Sequence, residues 1–280
     1  MPKQEPCQTL DNDWGRFPEF YSWLLVAEDE VKSRAGKVSL TPEEVTRRVK
    51  AGDAVLAWED LSLDWPLLQE YLREVFLAFS HHFPVLAGAT EDLQAIVQDT
   101  LMLQRVIRAC YQGGALPRGI TKAPGAKAKI DFLRLAGLVG LRPFLCGQRE
   151  ELLPLLNQEL WRRPTCPICG GQPDLSFLDR EQGARWLVCS RCDTHWLFRR
   201  LVCPSCQCDD QASLSYLADE EGVFRVYLCD QCHSYLKAVD FRKKEVGIDP
   251  ARQRLETLDL DRQARHKGYK CPESLVSLWV

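Results

Sequence analysis

Apolar residues in the first 160 positions recur with the 3.6-residue period of amphipathic helices. Residues 64–83 place six of them on one helical face: Leu68, Tyr71, Leu72, Val75, Phe76 and Phe79. Residues 90–112 place a second set on one face: Leu93, Ile96, Val97, Leu101, Ile107 and Cys110. Shorter periodic stretches lie near 17–34 and 148–161. This pattern predicts a helical first half.

Local signals predict where these helices begin and stop. The sequence Thr-Pro-Glu-Glu at 41–44 is a capping box, with an N-cap threonine and proline at the first helical position. Thr90, followed by two acidic residues, predicts the start of the 90–112 helix. The segment 113–129 is rich in Gly, Pro and Lys, and predicts a long loop.

Beyond residue 164 the apolar period changes to two, which is typical of strands. Leu175 and Phe177 alternate with residues of the opposite face, as do Trp186 and Val188. Glu-Gln-Gly at 181–183 and Glu-Glu-Gly at 220–222 are turn signals between short strands. We therefore expect two copies of a strand–turn–strand unit.

A third strand is predicted after each copy, at 196–202 and 235–241. After Pro250 the period becomes helical again, through Leu255, Leu258 and Leu260. The chain from Gly268 onward is expected to be irregular.

Eight of the thirteen cysteines form four Cys-x-x-Cys pairs: Cys166/Cys169, Cys189/Cys192, Cys203/Cys206 and Cys229/Cys232. A tight turn aims both sulfurs of a pair at one ion, and two turns complete a tetrahedral four-thiolate cage. Nineteen residues separate the first two pairs and twenty-two the last two, lengths that suit a hairpin. The sequence predicts one ion for the first two pairs and one for the last two. In the alternative, a cross-brace, pairs one and three share an ion.

The cofactors expected are therefore two metal ions per chain, zinc or iron. Zinc suits a closed tetrahedral sulfur shell, and iron fits the same shell, as in rubredoxin. A closed shell has no position for substrate, so catalysis at either ion is not expected. Four thiolates leave the centre negative, and four cations are expected to offset this charge at the first site: Arg185, Arg191, Arg199 and Arg200.

The other five cysteines are expected to have plainer roles. Cys110 and Cys146 lie in apolar surroundings and are predicted to be core thiols. Cys7 and Cys271 are predicted to be exposed near the termini. Cys208 is predicted to be a loop residue, the alternatives being a substitute ligand or a reactive thiol.

Composition restricts the class of protein. With 45% hydrophobic and 27% charged residues the chain is typical of soluble globular proteins, and it has no run of eighteen apolar residues. No signal-peptide pattern begins the sequence, so a reducing, cytoplasmic location is expected and a disulfide framework is disfavoured. Residues 204–240 carry seven acidic and two basic side chains, which disfavours nucleic acid as a partner.

Specific motifs surround the cysteine pairs. They are TCPICGGQP at Thr165–Pro173, RWLVCSRC at Arg185–Cys192 with Trp196, RRLVCPSC at Arg199–Cys206, CDQC at Cys229–Cys232, YLK at Tyr235–Lys237, Asp240, Asp261 and Gly268-Tyr269. Over roughly residues 161–270 this series resembles the formate dehydrogenase accessory (FdhE) proteins. Cys208 and the short tail after Tyr269 depart from that family's pattern.

The resemblance implies an α+β chain in which an all-helical domain precedes two rubredoxin-like, or zinc-ribbon, modules and a short C-terminal helix. The predicted domains are 1–160 (helical), 161–202 (first four-cysteine module), 203–245 (second module) and 246–280 (C-terminal helix and tail).

The function implied is that of a cytoplasmic, non-catalytic maturation factor. Its partner would be the catalytic subunit of a formate dehydrogenase, a molybdenum or tungsten enzyme, and its eight paired cysteines would bind iron or zinc. Two alternatives remain open at this point: a rubredoxin-type electron-transfer protein acting on a redox enzyme, and a zinc-ribbon protein that binds nucleic acid.

Overall fold

The computed structural model describes residues 14–83, 87–117, 126–244 and 247–271. The described residues form two compact units, 14–38 with 58–148, and 39–57 with 149–271. The division into four domains, 1–160, 161–202, 203–245 and 246–280, stays a prediction. Cys7 lies outside the described residues.

Helices dominate the chain before residue 153. They are α1 (Phe17–Ser33), α2 (Pro42–Ala51), α3 (Trp65–His82), α4 (Ala87–Gln98), α5 (Thr100–Gln112) and α6 (Ala126–Leu152). None of the described helices is both long enough and apolar enough to cross a membrane.

The capping signals explain where two of these helices begin. Thr41 Oγ1 accepts a hydrogen bond from Glu44 N at 3.3 Å, which confirms the predicted start of α2. Asp64 Oδ1 likewise accepts a hydrogen bond from Leu67 N at 3.0 Å, and α3 begins at the residue after Asp64. All six apolar residues predicted on the α3 face are buried.

The predicted helix over 90–112 is wrong, because two helices occupy this segment. Asp99 has extended backbone angles and its carboxylate accepts a hydrogen bond from Met102 N at 3.0 Å, so it caps α5 instead of continuing α4. Thr90 lies inside α4, and Leu101, which the periodicity placed on the apolar face, is 68% exposed.

The boundaries of α6 also differ from expectation. The helix begins at Ala126, inside the predicted loop, and residues 118–125 of that loop lie outside the described residues. It ends at Leu152, and the predicted helix near 148–161 continues only as 3₁₀ turns at Leu153–Leu155 and Gln158–Leu160.

Cys110 packs closely against α6. A Cβ on Gly137 would lie 2.7 Å from Cys110 Sγ, so the glycine permits this approach. Cys110 is therefore the buried core thiol predicted from the sequence, whereas Cys146 is only half-buried.

The second unit contains one six-stranded sheet. Its strands are β1 (Pro173–Leu178), β2 (Arg185–Cys189), β3 (His195–Phe198), β4 (Leu214–Ala218), β5 (Phe224–Cys229) and β6 (Ser234–Asp240). The spatial order is β3-β2-β1-β6-β5-β4, and the central pair, β1 and β6, is parallel whereas the others are antiparallel. The α+β class is confirmed, and each four-cysteine segment contributes three strands.

Two short helices, α7 (Pro250–Glu256) and α8 (Leu258–His266), follow the sheet. Leu260 and Ala264 of α8 pack in one apolar cluster with Val226, Leu228 and Tyr235 of the sheet and with Cys271. Cys271 was expected to be exposed, but it is only 4% exposed. The backbone bridge between Ser234 and Lys270 explains this, because it draws the chain after α8 onto β6.

Candidate metal centres

The four cysteine pairs share one backbone conformation. The residue after the second cysteine of each pair has a positive φ: Gly170 (72°), Asp193 (55°), Gln207 (62°) and His233 (52°). Residues other than glycine seldom adopt this conformation, so its recurrence shows a common tight turn. The internal repeat expected from the sequence is therefore also a structural repeat.

Backbone hydrogen bonds close these turns in the same way. In the first three pairs, the carbonyl of the first cysteine accepts from the residue four positions later, at 3.0, 3.3 and 2.8 Å. Its N–H donates to the carbonyl five positions later, which belongs to Gly171, Thr194 and Cys208 in turn. Cys208 thus closes the third turn through its backbone carbonyl.

The sulfur atoms meet in two clusters with the sequential grouping. The four Sγ atoms of each cluster lie within 4.8 Å of one another. In the first cluster, Cys166–Cys192, Cys169–Cys189 and Cys169–Cys192 are 3.6, 3.5 and 3.5 Å apart. In the second, Cys203–Cys232 and Cys206–Cys229 are 3.8 and 3.7 Å apart.

These separations fit a tetrahedral metal site. Four sulfurs placed about 2.3 Å from one ion are about 3.8 Å from each other. The donor set suits zinc or iron, and both clusters are able to bind an ion. That all eight cysteines act as ligands in solution stays a prediction.

Hydroxyl and amide groups surround the sulfurs. Arg191 N donates to Cys189 Sγ at 3.4 Å, and Thr194 Oγ1 lies 3.1 Å from Cys192 Sγ. Ser234 Oγ lies 3.0 Å from Cys232 Sγ. Thr194 and Ser234 both stand two residues after the last cysteine of their module, a repeat position that the sequence reasoning overlooked. Such contacts stabilise thiolate charge.

Burial and hydrogen bonds shift the pKa values of the first-cluster thiols in opposite directions. Burial raises the pKa of the Cys166 thiol well above its usual range. Burial also opposes ionisation of Cys192, but hydrogen bonds, beginning with that from Cys166, hold its pKa well below the usual range. Protein groups thus favour the Cys192 thiolate, whereas an ion would be needed to stabilise a thiolate at Cys166.

In the second cluster burial likewise opposes ionisation of Cys203. Hydrogen bonds from Ser234 and from the backbone N–H groups of Cys206 and Ser205 outweigh it and lower the Cys203 pKa to about 7. One thiolate is therefore already favoured near neutral pH.

The two clusters differ in exposure. All four cysteines of the first are buried. In the second, Cys203 and Cys229 are buried but Cys206 and Cys232 are exposed. An ion in the second cluster would consequently lie close to solvent.

Several residues that the sequence reasoning missed support the first cluster. The carbonyls of Pro167 and Ile168 accept hydrogen bonds from Val55 N and Leu56 N, each at 2.8 Å. These contacts explain why residues 39–57 belong to the second unit.

Arg254 of α7 connects the C-terminal helices to the second cysteine pair. Its guanidinium makes two bonds to the carboxylate of Asp174, at 2.7 and 2.9 Å. It also reaches Asp193 at 2.7 Å and the carbonyl of Cys189 at 3.0 Å. The group is buried and fully engaged, so it fixes the turn that carries two of the sulfurs.

The predicted counter-charges are distributed differently from expectation. Arg191 is buried at the first cluster, whereas Arg199 and Arg200 are exposed. Arg185, expected at the first cluster, lines a cavity together with Cys203 and Cys229 of the second. The pairing of β1 with β6 explains this, because it brings the two modules into one sheet.

Comparison with known proteins agrees with the motifs. A family model described as "FdhE, central domain" matches residues 165–200. An FdhE homolog of Aquifex aeolicus is 26% identical, with 91% of this chain and 87% of the relative aligned. An FdhE homolog of Shewanella oneidensis is 36% identical, with 81% and 78% aligned.

The fold is likewise similar to a solved structure. The crystal structure of the FdhE protein from Pseudomonas aeruginosa matches with a TM-score of 0.61 and 20% identity, and the match covers 94% of this chain and 89% of that one. The family model, the relatives and the fold lead to one conclusion: the chain belongs to the FdhE family.

Proposed function

We propose that this chain is a non-catalytic maturation factor for a formate dehydrogenase. It binds the catalytic subunit of that molybdenum or tungsten enzyme in the cytoplasm, through a surface shaped by its two tetrathiolate sites. Membership of the FdhE family, which is linked to formate dehydrogenase formation, supports the choice of client.

The geometry of the clusters supports a non-catalytic role for the bound ions. Four sulfurs at tetrahedral spacing occupy every position of a four-coordinate ion, so no position is left for substrate. Cys166, Cys169, Cys189 and Cys192 would hold one ion; Cys203, Cys206, Cys229 and Cys232 would hold the other. What the ions supply is folding free energy, because each module is small and folds with its metal.

Co-purification tests this function. The tagged chain, produced anaerobically together with a formate dehydrogenase catalytic subunit, is expected to retain that subunit. Cys189→Ser and Cys229→Ser should lose it, whereas Cys208→Ser, which keeps the backbone carbonyl that closes the third turn, should not. Recovery of nucleic acid without the subunit would contradict the proposal.

A second candidate function, rubredoxin-type electron transfer, is favoured by one observation. Cys206 and Cys232 are exposed, so an iron ion in the second cluster would be close to a redox partner. Anaerobically purified protein would then show thiolate-to-iron charge-transfer absorption that bleaches on reduction. A colourless protein that carries zinc would exclude this candidate.

A further inference from the structure

A groove crosses one face of the sheet beside the second cluster. It is an open cavity of about 100 Å³, lined by residues of β4, β5 and β6, by the connecting segment 200–205, and by Pro173 of β1 and Arg185 of β2. Tyr216, Tyr227 and Leu236 lie opposite one another on adjacent strands and therefore share a face. They belong to the groove lining.

The rim of the groove is apolar and exposed. Leu201 is 57% exposed and Tyr216 is 56% exposed, and both belong to the lining. β4, which carries Tyr216, is the outermost strand of the sheet, so the groove reaches the sheet edge. Exposed apolar groups around a groove are typical of sites that bind another molecule.

The groove lining contains cationic side chains and two sulfurs of the second cluster, Cys203 and Cys229, but no carboxylate. The cationic side chains are those of Arg185 and Arg200. Within the described ranges neither guanidinium has a carboxylate at ion-pair distance. Arg200 is exposed and the lining offers it no carboxylate, so a carboxylate on a bound partner would complement this end of the groove.

The guanidinium of Arg185 is buried in the groove with incomplete hydrogen bonding. Arg185 is only 3% exposed, it donates to the carbonyl of Val202 at 2.6 Å, and it lies 5.4 Å from the Phe198 ring. Its Nε is buried without a hydrogen-bond acceptor among the described residues. Burial lowers the pKa of Arg185 to about 10, so the group is still cationic at pH 7. A buried guanidinium with an unsatisfied Nε and no carboxylate partner is costly.

We propose that this groove binds an extended segment of a partner protein in which a carboxylate is flanked by apolar side chains. The carboxylate pairs with Arg200 and Arg185, and the apolar side chains pack on Leu201 and Tyr216. The inference rests on the proposed function, since it names the docking groove for the client.

The second cluster controls the shape of this groove. Cys203, Pro204, Ser205 and Cys229 form part of its wall, so the turns that hold the ion also hold the lining. Removing the ion should therefore abolish binding in the groove.

Selection from a display library of short random peptides on the metal-loaded chain tests the proposal. Enriched peptides should carry Asp or Glu between apolar residues. A synthetic copy should bind Arg200→Glu and Leu201→Ser about tenfold or more weakly, since an ion pair and an apolar contact are lost. Exchanging its acid for the amide should have a similar effect.

Matched controls lie outside the groove. Arg199→Glu reverses a charge on the exposed neighbour of Arg200, and Leu101→Ser removes an exposed leucine of the other unit. Neither should change peptide binding. Absence of enrichment, enrichment without acidic residues, or equal losses in the controls would overturn the proposal.

The same variants separate this inference from the function it rests on. If Arg200→Glu and Leu201→Ser still retain the formate dehydrogenase subunit as the unmodified chain does, the groove assignment is wrong and the function stands. If the unmodified chain retains no such subunit but binds acidic peptides, the function is wrong and the groove assignment stands.

Discussion

At the scale of single residues, two adjacent glycines of the first cysteine turn resist substitution for different reasons. Gly170 has a positive φ, and a Cβ there would make only an ordinary contact of 3.5 Å with Ala54. At Gly171 a Cβ would lie 2.8 Å from Arg191 Cδ and 3.0 Å from Cys189 Sγ. The first position is restricted by the backbone, and the second by the Arg191 side chain and the Cys189 sulfur.

Gly170→Ala should therefore affect mainly stability, and Gly171→Ala mainly metal retention. Gly170→Ala is expected to lower the free energy of unfolding by about 1–2 kcal/mol while keeping both ions. Gly171→Ala should weaken metal retention at the first cluster. Chelator titration and thermal unfolding measure the two effects, with Gly247→Ala, which meets nothing within 4 Å, as control. Unchanged metal retention in Gly171→Ala would refute the steric argument.

The hydroxyl groups near the sulfurs give a second prediction at this scale. Thr194→Val and Ser234→Ala remove contacts to Cys192 and Cys232, and each should reduce metal affinity at its own cluster by about 10–100-fold. Competition with a chromophoric chelator measures this. Ser215→Ala on the exposed strand β4 is the control, and equal affinity in all three variants would count against a role for the hydroxyls.

At the scale of secondary-structure elements, the contact between α7 and the first cluster depends on one buried cation. Arg254→Met leaves the buried carboxylate of Asp174 without its partner, and the free energy of unfolding should fall by about 3–5 kcal/mol. Arg252→Met removes an exposed pair with Glu256 on the same helix and should cost well under about 1 kcal/mol. Denaturant unfolding compares them, and similar losses would exclude the proposed role of Arg254.

The elements also show how far the sequence alone can predict this fold. Apolar periodicity and turn residues are local signals, and they predicted α3, the strand pairs and the grouping of the sulfurs. The capping signal of Asp99 is also local, but the apolar periodicity on both sides of it favoured one continuous helix. The break between α4 and α5 was therefore missed. The parallel pairing of β1 with β6, and the burial of Cys271, depend on contacts between distant segments, and no local pattern encodes them.

At the scale of the whole molecule, the two clusters should differ in how readily they release an ion. The first is enclosed by the segment 55–56 and Arg254, whereas the second exposes Cys206 and Cys232. Removal by a chelator is therefore expected in two phases, one equivalent each. Cys232→Ser should abolish the fast phase and Cys192→Ser the slow one; a single phase would contradict the difference in enclosure.

The dependence of docking on the sulfur cages is measured by comparing binding of the formate dehydrogenase catalytic subunit by the metal-loaded and the metal-free chain, with metal content determined for both. We expect two equivalents of zinc or iron in the loaded protein, tight binding by that form, and loss of binding after metal removal that is reversed by reloading. Undiminished binding by a folded chain without metal would contradict the claim that the sulfur cages shape the docking surface.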